Sequence, residues 1–129
     1  MYTDPRQAYV NTFATSSIYN ASPHKLVSLL LDASLTKLAE AKGAMERGEV
    51  RDKANAVKRA IDIIVNLQAC LDHEAGGDIA RKLDDLYTFS INRLSLANAA
   101  NDTKMLDEVA KVIGEIRAGW EEIKQVGQV

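Results

Sequence analysis

Two stretches of the chain repeat their apolar residues in alternating steps of three and four. Val57, Ala60, Ile64, Leu67 and Leu71 form one series, and Leu106, Val109, Ile113, Ile116, Trp120 and Ile123 form another. A strand places its buried side chains every second residue, so this spacing predicts helices. Stop and start signals divide the rest. Ser22-Pro23 opens a helix, serine as cap and proline at the first position, and Gly48 closes it near Arg47. A second helix is predicted over Val50–Glu74, broken by Gly76-Gly77. Asp78 then begins a third that runs to about Ala100, and Asn101-Asp102 separates it from a fourth ending near Gln125.

Helices joined by such short connections must run antiparallel to their neighbours, and at 1.5 Å per residue each would be roughly 35 Å long. The predicted fold is therefore all-α, an antiparallel up-down four-helix bundle over residues 22–129. It forms a single domain preceded by an N-terminal arm or short cap segment, residues 1–21. Tyr9, Phe13 and Ile18 give that arm an apolar side. Two roles suit it, an arm packed permanently on the bundle or a lid over a binding surface.

The apolar arcs differ in width. On the fourth helix the large apolar residues span about 120°, as a core-facing stripe requires. On the second helix Ile61, Ile63 and Val65 widen the arc to roughly 220°, and Tyr87, Phe89, Ile91 and Leu96 do the same on the third. Leu31 and Leu35 also extend the first helix beyond its core stripe. Either the arm covers the surplus, or the surplus is a groove for an amphipathic helix from a partner. Projection makes Ile61, Ile63, Tyr87, Ile91 and Leu94 the leading groove candidates, with Leu83 and Leu86 as core support beneath them. Tyr9, Phe13 and Ile18 are the candidates for the lid.

Composition narrows the function. The chain of 129 residues is 47% hydrophobic and 26% charged, with a formal net charge of -2 and acidic and basic residues interspersed. That balance offers no footprint for nucleic acid or an anionic membrane, and no apolar run approaches the length of a membrane span. Cys70 is the single cysteine and no secretory leader is visible, so a cytoplasmic, reducing location is expected. Chemistry-bearing residues are sparse. His24 is expected to be solvated in the first turn, and His73 lies beside Asp72 and Glu74, which splay around a helix. No Glu-x-x-His pair exists to build a carboxylate metal site, and Gly76-Gly77 carries no phosphate-loop pattern. No catalytic residue, cofactor or metal is expected, and the chain reads as a binding protein.

Several blocks, taken in order, resemble a known family. They are Ala21-Ser22-Pro23-His24-Lys25-Leu26-Val27, Leu71-Asp72 with Gly76-Gly77-Asp78-Ile79-Ala80, Leu83-Asp84-Asp85-Leu86-Tyr87, Arg93-Leu94, Ala97-Asn98 and Trp120. Together they resemble the flagellar secretion chaperone FliS family over essentially the whole chain. Leu31 stands where that family often has tyrosine, and Lys82 where it often has asparagine. The resemblance implies a cytoplasmic export chaperone whose partner is the C-terminal segment of flagellin. It would wrap that segment, block premature polymerisation and aid delivery to the export apparatus, whose gate component is a second implied partner. Two other readings stay open from the residues alone: a phosphotransfer bundle using His24, and a structural dimer whose wide faces mate in the absence of client.

Overall fold

The computed structural model describes residues 22–123, and these form four helices joined by tight turns. Helix α1 spans Pro23–Glu46. Ser22 caps it by accepting the Lys25 N–H on its hydroxyl at 3.1 Å, and Pro23 occupies the first turn as expected. Gly48, with φ of +71°, lets the chain reverse, and the Glu49 N–H closes the turn on the Ala44 carbonyl at 2.9 Å. Helix α2 spans Val50–Ala69, with Asp52 in its first turn.

The second connection departs from expectation. Helix α2 ends at Ala69 rather than near Glu74, because the Asp72 carboxylate accepts the Ala75 N–H at 2.9 Å and caps the next helix there. Helix α3 spans His73–Ala100, and Gly77, at φ 51° and ψ -124°, kinks it after one turn. The paired glycines therefore bend α3 instead of ending α2. Asn101, in the left-handed conformation at φ 55°, terminates α3, and the Asp102 carboxylate accepts the Lys104 N–H at 2.9 Å as α4 begins. Helix α4 spans Thr103–Ile123.

Each helix packs on its neighbours in the order α1–α2, α2–α3, α3–α4 and α4–α1, the closed ring of an up-down bundle. Leu30, Leu31 and Leu38 of α1, Ile63, Ile64 and Leu67 of α2, Tyr87 and Leu94 of α3, and Leu106, Val109 and Ile113 of α4 fill its centre. Leu31, expected outside the core stripe, is fully buried, and Leu35 is half-buried against it. The α1–α4 seam is closed on its outer side by Asp32–Arg117 and by Lys42–Asp107 at 2.9 Å. The hydrogen bond and then the opposite charge in each pair hold the cation's pKa above its ordinary value.

Candidate partner-binding surface

Helix α3 carries two parallel stripes offset by one residue. The inner stripe, Ala80, Leu83, Tyr87, Ser90, Leu94 and Ala97, advances in steps of three and four and faces the core. The outer stripe, Ile79, Lys82, Leu86, Phe89, Arg93 and Leu96, advances in the same steps one position earlier. Its apolar members remain uncovered: Ile79 is 55% exposed, Leu86 38%, Phe89 37% and Leu96 54%. Arg93 fixes where this stripe lies. Its guanidinium sits 5.1 Å from the Phe89 ring centre and meets Glu108 of α4 at 3.4 Å, so the outer stripe runs along the α3–α4 side of the bundle.

The α2–α3 side is closed by polar contacts. The Gln68 amide donates to the Asp84 carboxylate at 3.0 Å and to the Thr88 hydroxyl at 2.9 Å. Val65, one turn before Gln68, stays exposed.

These positions redistribute the groove candidates. Ile63, Tyr87 and Leu94 lie in the core, where no partner on the surface reaches them; Ile61 and Ile91 are half-buried and packed against it. Leu83 supports the core as expected, whereas Leu86 lies on the surface. The reason is charge: Lys82 and Arg93 interrupt the outer series, and burying it would desolvate two cations, whereas the inner series carries no charge and its small members Ala80, Ser90 and Ala97 are buried with Tyr87 and Leu94. The second step-of-three-and-four series, read one position before the first, is the sequence signal for the outer stripe. Tyr9, Phe13 and Ile18 lie outside the described residues.

Desolvation pushes the Tyr87 phenol well above its usual pKa, with a smaller contribution from Cys70, so at neutral pH it stays uncharged within the core. His24, expected to be solvated, is half-buried, and its Nε2 donates to the Trp120 carbonyl. Among the described residues no three His, Cys, Asp or Glu side chains come together as metal ligands, and no helix is long and apolar enough to cross a membrane. An open cleft of about 280 Å³ between the end of α1 and the start of α2 is lined by Lys37, Arg47 and Arg59 together with Glu40 and Asp52, charges of both signs.

The fold is an all-α bundle with a partly exposed apolar stripe along one helix. The model of the family described as flagellar protein FliS matches residues 5–127, and the chain belongs to that family. It is 42% identical over 117 residues to a flagellar secretion chaperone FliS of Vibrio cholerae, covering 91% of this chain and 86% of that protein. It is 42% identical over 115 residues to the flagellar secretion chaperone FliSB of Pseudomonas aeruginosa, covering 89% and 91%. Identity to the FliS of Salmonella typhimurium is 39% over 118 residues, covering 91% and 87%.

Proposed function

We propose that this protein is a cytoplasmic export chaperone that binds the C-terminal segment of flagellin, prevents its premature polymerisation and aids its delivery to the flagellar export apparatus. The observation that carries this reading is the uncovered stripe Ile79, Leu86, Phe89 and Leu96 on a chain of the FliS family. A client segment that must stay unassembled has its own apolar helix faces to cover, and ordering it costs several kcal/mol that a large apolar contact offsets. The groove candidates then divide by role. Leu86, Phe89 and Leu96 meet the client, and Ile61, Ile63, Tyr87, Ile91 and Leu94 support that wall from the core side. Residues 1–21, with Tyr9, Phe13 and Ile18, act as the lid that the client displaces.

Calorimetric titration with full-length flagellin, and with flagellin lacking its C-terminal segment, tests the reading. One-to-one binding that disappears with the truncation supports it. Phe89→Asp combined with Leu96→Asp should weaken binding at least about tenfold, and Leu96→Asp alone, at the more exposed position, should weaken it in part while thermal unfolding stays near that of the parent. Binding that survives the truncation, or that the double variant leaves unchanged, sinks the client or the surface respectively.

A further inference from the structure

We infer that the α3–α4 groove selects its client helix by charge as well as by apolar fit, taking an amphipathic helix flanked by Lys or Arg at the end that lies over Ile79 and Leu86. This rests on the reading that the groove receives a client helix, and adds what that helix must present.

The rims carry the inference. On α3, Asp78 and Asp85 each precede an apolar stripe residue by one position, which places them about 100° further round the helix, beyond Ile79 and Leu86. On α4, Glu108, Glu115 and Glu122 recur every seven residues and stay on nearly one line, drifting only about 20° per step. The Glu108–Arg93 pair fixes that line on the side facing α3. The two helices are antiparallel, so seven residues back from Arg93 brings Leu86 level with Glu115. Seven more bring Ile79 level with Glu122.

Each of these apolar residues thus lies between two carboxylates. Arg81 engages Asp78 and Arg93 engages Glu108. Asp85, Glu115 and Glu122 are exposed and pair with no described cation. Among the described residues, Lys82 in the floor and Lys111 on α4 offset two of these three charges and leave an excess of one acid at this end. Around Leu96, Arg93 and Lys104 leave none. A helix seated on the apolar floor directs its flanking positions at both rims, as in a coiled coil, so its cations belong at the Ile79–Leu86 end.

Other occupants fit less well. Residues 1–21 contain one cation, Arg6, and one carboxylate, Asp4, too few to pair three acids. A second copy laid parallel would set one acidic rim against another.

The test uses the full chain and two synthetic helical peptides with the same apolar stripe, one flanked by Lys and one by Glu, alongside flagellin. The Lys-flanked peptide should bind about tenfold more tightly at 50 mM salt, a preference that shrinks to about twofold at 0.5 M. Glu115→Gln with Glu122→Gln should abolish the preference, and Glu115→Lys with Glu122→Lys should reverse it, with unfolding curves unchanged. Equal binding of the two peptides at low salt, no binding of either, or a preference that survives the glutamine pair overturns the inference. So does a dimer in the absence of client that the lysine pair dissociates. If flagellin binds but flank charge has no effect, the charge inference fails and the chaperone reading stands. If the Lys-flanked peptide binds and flagellin does not, the client assignment fails and the charge inference stands.

Discussion

The imidazole of His24 stacks on the indole of Trp120, ring centres 4.9 Å apart and planes within 12° of parallel. The contact is reciprocal. Trp120 Nε1 donates to the His24 carbonyl at 3.0 Å, and His24 Nε2 donates to the Trp120 carbonyl at 2.9 Å. The first turn of α1 is thereby tied to the last turn of α4, across 96 positions of sequence. The other three adjacent helix pairs are joined by a turn. The α1–α4 pair has no connecting loop, so among the described residues contacts made by side chains close the ring. This role also engages Nε2 of His24 in a hydrogen bond to a backbone carbonyl.

Breaking this clasp should cost stability in a coupled way. Trp120→Phe keeps an apolar ring but removes the donor to the His24 carbonyl, at a cost of about 1–2 kcal/mol. His24→Ala removes the stack and the second hydrogen bond, for a similar loss. The two hydrogen bonds end on backbone carbonyls and are lost independently, so only the ring stack couples the variants, and the double variant should fall short of the sum by about 0.5–1 kcal/mol in denaturant titrations. Strict additivity would show that the two residues act independently.

Two glycines should respond oppositely to alanine. Gly77 at φ 51° and ψ -124° occupies a conformation open only to glycine, so Gly77→Ala should destabilise by about 1–3 kcal/mol despite open space around it. Gly119 is helical, exposed and has nothing within 4 Å of an added Cβ, so Gly119→Ala should stabilise by about 0.5–1 kcal/mol. Thermal melts of the two variants check both signs at once.

Lys53 ties the start of α2 to the end of α3. Its ammonium is largely buried and donates to the Asn98 carbonyl and to Asn101 Oδ1, both at 3.1 Å, where the α3 dipole favours a cation. Lys53→Met preserves the packing of the stem and strands a carbonyl at the helix end. A loss of about 1–2 kcal/mol is expected in chemical denaturation. A neutral or stabilising result would mean that desolvating the ammonium cancels its hydrogen bonds.

Alkaline pH should weaken the fold through Tyr87. Its folded pKa is raised above the ordinary value of 10.0, so the stability it contributes is intact below pH 10 and falls as pH rises from there towards the folded value. In that window the unfolded chain releases a proton that the folded chain retains, giving a slope of about 1.4 kcal/mol per pH unit. Tyr87→Phe should lose less stability than the parent between pH 10 and 12, by an amount that grows with pH. Parallel pH curves for the two proteins would refute the assignment.

Local chemistry made much of this fold legible in the sequence. The Ser22-Pro23 cap, the Gly48 reversal and the Asn101-Asp102 stop act within a few residues of themselves, and the α4 stripe leaves one way to bury its apolar face. Four antiparallel helices follow from these signals and from the short turns between them. The family resemblance was legible too, because it rests on residue blocks in order.

What the sequence left open is what depends on distance between helices. Glycine pairs at 76 and 77 read as a helix end, but the Asp72 carboxylate reached the Ala75 N–H first and moved the boundary. His24 reads as solvated until α4 returns Trp120 to its side. On α3 the pattern supplies two stripes one residue apart, and only the cations Lys82 and Arg93 in the outer one mark it as the stripe that stays at the surface. Packing buried the uncharged stripe, Ala80, Tyr87, Ser90, Leu94 and Ala97, because turning the other one inward would have taken Lys82 and Arg93 out of water. That choice left the larger Leu86, Phe89 and Leu96 facing outward, and so decided which residues are available to a partner.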